Sequence, residues 1–166
     1  MIYKFTYLFL LFLGVQPLIA QDSLESLLKI HNEESVPYIK VSDLATIDIP
    51  VVLLDAREKN EYEISHLPNA IFVGYNDFDL NDTLELLKNK TQTIVVYCSL
   101  GVRSEDVATQ LKDQGYGRVF NLYGGIFEWI NQNQIVYNSQ RQVTDKVHAY
   151  SEYWSKWLKR GIKVYE

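Results

Sequence analysis

The sequence predicts an α/β fold with a mostly parallel central sheet flanked by helices on both faces. Two observations carry that prediction. Strand-like apolar runs alternate with helical stretches at short spacing, the order that builds parallel sheets. The two longest runs, Val51 to Leu54 and Thr93 to Tyr97, are continuous rather than alternating, as strands buried on both faces require.

The elements follow in chain order. Asp22 to His31 sets Leu24, Leu27 and Leu28 at helical spacing and forms a leading helix within residues 21–37. The strand at Val51 to Leu54 ends in Asp55-Ala56-Arg57, and Glu58 to Ile64 reads as a short acidic helix. Ile71 to Val73 is a second short strand, and Asp82 to Asn89 a helix capped by Asn81 or Asp82. Thr93 to Tyr97 delivers Cys98 to a loop that opens into a helix over Ser104 to Gln114. Val107, Ala108 and Leu111 share one face of that helix, and Gly115 ends it. Arg118 to Leu122 is another strand, and Gly124-Gly125 turns the chain into a helix over Ile126 to Asn131. Asn138 to Asp145 is a polar connector. Val147, Tyr150, Trp154, Trp157 and Leu158 then recur at helical spacing, which predicts an extra C-terminal amphipathic helix packed back on the domain.

Composition narrows the function. The chain has 166 residues, 47% hydrophobic and 22% charged, enough for one domain with a sizeable core. A net charge of −5 offers no footprint for nucleic acid. Residues 1–20 have a basic start, an apolar stretch over Phe5 to Val15 and a break at Gly14, Pro17 and Ala20. This is the pattern of a signal peptide cleaved after Ala20, so the expected location is periplasmic or secreted, with no stable membrane association after cleavage. An uncleaved N-terminal anchor is the alternative.

Cys98 is the only cysteine, so no intrachain disulfide can form. It sits between a strand and a helix N-terminus, where loop N–H groups and the helix dipole favour a thiolate. Arg103 adds a cation five positions on. An unpaired thiol in an oxidising compartment is a liability unless its reactivity is used. The bland alternative is a buried structural cysteine. His31, His66 and His148 are scattered, so the sequence calls for no metal and no cofactor.

Three ordered motifs carry a resemblance. Leu54-Asp55-Ala56-Arg57, with Glu61-Tyr62 and Ser65-His66-Leu67-Pro68-Asn69-Ala70, is the first. Cys98-Ser99-Leu100-Gly101-Val102-Arg103-Ser104 is the second, and Gly124-Gly125-Ile126-Phe127-Glu128-Trp129 the third. Together they resemble a single-domain rhodanese, a sulfurtransferase, over residues 38–137; residues 138–166 have no counterpart in the minimal domain. Ser65 and Asn69 stand where the family usually has glycines, and Leu67 where isoleucine is more frequent.

The resemblance implies that Cys98 attacks a sulfane sulfur donor, such as thiosulfate or a polysulfide, and carries the sulfur as a persulfide. A thiophile then removes it, either cyanide or a thiol, with a protein thiol one candidate. Backbone N–H groups across Ser99, Leu100, Gly101, Val102 and Ser104 would cradle the sulfur and its charge, with Gly101 allowing close approach. Arg103 would pair with an anionic donor or brace the loop. Asp55 and Arg57 match a supporting pair, and a strand-end salt bridge explains them equally.

Two rivals stay open. Cysteine-dependent phosphatases place five residues between Cys and Arg to wrap a phosphate, whereas four intervene here, Ser99 to Val102. Arsenate reduction is a weaker form of that rival. A non-catalytic binding module on the same scaffold is the other, since fold does not fix function. The apolar rim of Leu100 and Val102, with Arg103 as the loop's one cation, predicts that the dianion thiosulfate is a poor donor and a less charged persulfide a better one.

Overall fold

The computed structural model describes residues 23–87 and 89–165. The expected export segment, residues 1–20, lies outside them. Among the described residues no helix is long and apolar enough to cross a membrane.

A five-stranded, wholly parallel sheet organises the molecule. Its strands are β1 (Tyr38–Ile39), β2 (Val51–Asp55), β3 (Ile71–Phe72), β4 (Thr93–Tyr97) and β5 (Val119–Leu122), in the order β1-β5-β4-β2-β3. β4 is central and buried along its whole length. Its side chains alternate between two cores, as the period of a strand dictates. Ile94 and Val96 pack with Val107, Ala108 and Leu111 of α5 (Arg103–Asp113). Val95 and Tyr97 pack on the other face with Ile126, Phe127 and Ile130 of α6 (Gly125–Asn131). Burying a large aliphatic side chain contributes roughly 1.5–3 kcal/mol, so these two layers hold the sheet.

The remaining helices of the domain are α1 (Leu24–His31), α2 (Val41–Thr46), α3 (Lys59–Ile64) and α4 (Leu80–Leu86). The α/β class and the parallel sheet are as the sequence predicts. β1 and α2 were not legible in it. β1 has two residues and exists because it pairs with Asn121 and Leu122 of β5, a contact made across the fold. The helix expected from Asp82 starts two residues earlier, because Asp79 rather than Asn81 or Asp82 caps it, accepting from the Asp82 N–H at 3.0 Å.

The C-terminal extension corrects the sequence reading. The amphipathic helix is not formed: only α7 (Glu152–Ser155) is helical, one turn capped by the Ser151 side chain. Around it lie β6 (Val136–Tyr137) paired with β7 (Val143–Thr144), and β8 (Lys146–His148) paired in parallel with β9 (Ile162–Val164). Gly161 at φ +84° makes the turn into β9, where a side chain would meet the Asp145 carbonyl at 2.8 Å. The apolar stripe is real but differently caused. Val147, Ala149 and Leu158 all join the α6 core, so strand, turn and helix press one side onto the same surface. Contact with one surface imitates a helical period.

Candidate active site

Cys98 follows β4, and its loop curls over the carboxyl end of the sheet, where open parallel sheets place their ligands. Two carbonyls anchor the loop. Cys98 O accepts from Ile126 N at 2.9 Å and Ser99 O from Phe127 N at 3.2 Å. The first turn of α6 thus holds loop oxygens outward, leaving N–H groups to face the sulfur. This docking explains Gly125, at φ +52°: a side chain there would collide with Cys98 O and the Ser99 backbone. The opposite side is held by two amides. Asn32, just after α1, and Asn121, in β5, each donate to Gly101 O at 2.8 Å. Gly101 itself sits at φ +112°, a region that side chains avoid.

The sulfur is therefore met by donors. Gly101 N–H points at Cys98 Sγ from 3.1 Å, and Ser104 Oγ lies 3.5 Å away. The Ser104 hydroxyl proton goes to Asn121 Oδ1 at 2.7 Å, the shorter of its two contacts, while the Ser104 backbone N–H serves the sulfur. Asn121 Nδ2 is committed to Gly101 O and Glu105 Oε2, which fixes Oδ1 as the acceptor. Burial pushes the Cys98 thiol up. The charge of Arg103 and the hydrogen bonds from Ser104 and Gly101 outweigh it, and the thiol ends below its ordinary 9.0. The group is 2% exposed and yet its pKa is held below the ordinary value, whereas burial alone raises that of a core cysteine.

Arg103 lies beside the thiol but is not free. Its Nη1 donates to Glu61 Oε2 at 2.7 Å, and its Nη2 to Glu61 Oε1 at 2.9 Å and Ser99 Oγ at 3.0 Å. Tyr150 stacks on the guanidinium, 4.9 Å from ring centroid to Cζ. Glu61 is 1% exposed; burial raises its carboxyl, and the Arg103 fork and charge more than reverse this and hold it below its usual 4.5. Its Oε2 also accepts from Glu58 N at 3.0 Å at the start of α3, so the helix end delivers the carboxylate to the loop. Glu61 lies in the first of the three sequence motifs, but the sequence alone gives it no role at the loop. The capping-box spacing from Glu58 was the available signal.

Asp55 and Arg57 form a second, deeper fork and are not among the residues lining the pocket at Cys98. Arg57 Nε and Nη2 donate to Asp55 at 2.9 and 2.6 Å, both side chains fully buried. Tyr97 Oη donates to Asp55 at 2.6 Å, and Arg57 also donates to Ser65 O at 2.6 Å. The pair ties β2, β4 and the Ser65 turn together.

The pocket over Cys98 has a volume of about 150 Å³. The loop contributes Cys98, Ser99, Leu100, Val102 and Arg103; the extension contributes Tyr150 and Trp154. Neither aromatic was assigned to the site from sequence, because both were spent on the expected helix. By sequence His148 likewise belongs to a flanking segment. The structure buries it 3.9 Å from Glu61 Oε1, with Nδ1 accepting from Tyr150 N at 3.2 Å.

Comparison with known proteins fits this geometry. The family described as "Rhodanese-like domain" matches residues 41–132. A tRNA uridine(34) hydroxylase of Salmonella typhi is 34% identical over 97 residues, which is 55% of this chain and 28% of that protein. The chain therefore spans little more than a quarter of the curated relatives it matches. A rhodanese-like domain protein of Staphylococcus aureus superposes with a TM-score of 0.50 at 27% identity, covering 57% of this chain and 91% of that one. A thiosulfate sulfurtransferase of Pseudomonas aeruginosa gives 0.54 at 20% identity, covering 78% and 24%, a likeness of backbone.

Proposed function

The chain belongs to the rhodanese-like domain family, and on that premise we propose that it is a sulfurtransferase carrying sulfane sulfur as a persulfide on Cys98. One observation carries the reading. A buried thiol with a lowered pKa receives the Gly101 N–H at the edge of a small pocket. The thiolate attacks the outer sulfur of a donor, and the donor's S–S bond breaks with its electron pair leaving on the inner sulfur. Cys98 then holds the sulfur, and the Gly101 N–H and Ser104 sit where charge develops. A thiophile, cyanide or a thiolate, attacks the outer sulfur and regenerates the Cys98 thiolate.

The arrangement favours donors of low charge. Both amino ends of Arg103 are engaged by Glu61, so the loop's cation is neutralised before a ligand arrives. The same commitment weighs against a phosphatase or arsenate reductase, which needs an arginine fork for a tetrahedral oxyanion. A tRNA substrate is not carried over from the Salmonella relative, since a net charge of −5 gives no overall attraction for the phosphate backbone.

Intact mass spectrometry tests the reading. The protein is incubated with polysulfide or thiosulfate, then with cyanide, beside Cys98→Ser. A gain of one sulfur, about 32 Da, that needs Cys98 and is discharged by cyanide is expected. A folded protein with an alkylatable thiol that never gains sulfur sinks the reading. Export remains part of this proposal, resting on residues 1–20; a native N-terminus at Gln21 is the expected result of sequencing the purified protein.

A further inference from the structure

We infer that Tyr150 and Trp154 of the C-terminal extension select the sulfur carriers that reach Cys98, admitting slim thiols and hydropersulfides of low charge and rejecting bulky or multiply charged ones. The inference rests on the persulfide reading above and adds its substrate class.

Size comes first. A pocket of about 150 Å³ matches cavities that hold one benzene-sized molecule. Cys98, Leu100 and Val102 on the loop share that space with the Tyr150 and Trp154 rings, so the group next to the reacting sulfur meets mostly apolar surface. Charge comes second. The edge of the Arg103 guanidinium is filled by Glu61 and Ser99 and one face by Tyr150, which leaves little to receive a carboxylate or sulfonate.

The wall is built rather than incidental. Tyr150 sits at φ +63°, a conformation that bulky residues rarely adopt. Three hydrogen bonds impose it: Tyr150 N to His148 Nδ1 at 3.2 Å, Ala149 N to Val164 O at 2.7 Å and Ser151 N to Ala149 O at 2.8 Å. Trp154 stands on α7, its ring 5.7 Å from the His31 ring of α1. The extension is thus pinned at β9 and at the leading helix, and its two aromatics close over the loop between those anchors.

The exchange balances without an oxidant. Cys98–S⁻ and R–S–SH give Cys98–S–SH and R–S⁻, one S–S bond forming as another breaks. A second thiolate R′–S⁻ then gives R′–S–SH and Cys98–S⁻. The proton on the outer sulfur travels with it, and R is the group that the aromatic wall measures.

The test uses the full chain loaded with polysulfide, desalted and mixed with benzyl mercaptan or glutathione, with loss of the sulfur adduct followed by quenched mass spectrometry. Rates are normalised to thiolate concentration. In the unaltered protein benzyl mercaptan is expected to discharge Cys98 about ten times faster than glutathione, a difference of about 1.4 kcal/mol. Tyr150→Gly and Trp154→Leu should bring the ratio below about threefold, chiefly by accelerating glutathione. Glycine suits the left-handed backbone at 150, so this variant decides the matter if Trp154→Leu does not fold. An equal ratio in all three proteins overturns the wall while leaving the sulfur carrier intact. An unaltered protein that never loads overturns both.

Discussion

The Arg57–Asp55 and Arg103–Glu61 pairs have similar forks and different surroundings. The first is wholly enclosed, and its carboxylate also receives Tyr97 while its guanidinium reaches Ser65 O. Every contact it makes is to the scaffold. The second sits beside the sulfur, with Arg103 13% exposed, and is shared with Ser99 of the loop and Tyr150 of the extension. The first pair holds β2, β4 and a turn in register; the second couples a helix end to a reactive loop. Burial alone does not separate structure from function here, whereas the identity of the third partner does.

Removing one member of each pair sharpens the contrast most. Asp55→Asn strands a buried guanidinium and should cost about 3–5 kcal/mol in urea unfolding. Glu61→Gln keeps part of its hydrogen bonding and should cost less, yet release the Arg103 charge towards ligands, so that KM for thiosulfate falls several-fold. Equal stability loss with unchanged thiosulfate KM would erase the distinction drawn between the pairs.

Arg103→Met comes next in size. The cation is the foremost influence lowering the thiol, so its removal should raise the midpoint of iodoacetamide alkylation at Cys98. An unmoved midpoint would make Arg103 a brace only.

The smallest effect concerns His148. Burial lowers its pKa below 6.5, and the cations of Arg57 and Arg103 act the same way, against the pull of Glu61 and a backbone bond with Tyr165. The unfolded chain then binds more protons than the folded one between the folded value and 6.5, so stability rises with pH through that window. Glu61 is also shifted downwards, by the Arg103 fork and charge against burial: its contribution is present above 4.5 and is lost as pH falls through its lower folded value. His148→Asn keeps an acceptor for Tyr150 N–H and should flatten the stability slope just below pH 6.5 without altering the acid limb. An unchanged slope there would remove His148 from the account.

Sequence and structure part company for physical reasons. The strands at Val51 and Thr93, the thiol loop and the helix after it were legible, because continuous apolar runs and the Cys98-to-Ser104 spacing are local signals. Glu61 and Asn121 were not assigned to the loop, since their partners are remote in sequence: Arg103 lies 42 positions from Glu61, and Gly101 20 from Asn121. The extension failed differently. Val147, Trp154 and Leu158 gave a convincing helical period, and one shared docking surface produced it.

The pairing of β8 with β9 also sets an order of events. Ala149 N–H finds its acceptor only at Val164, which leaves the ribosome well after every strand of the main sheet is complete at Leu122. Folding that follows synthesis from the N-terminus builds the nucleophile first and roofs it last. A nascent chain truncated before Gly161 would carry an assembled but uncovered thiol, open to reagents that the finished protein turns away.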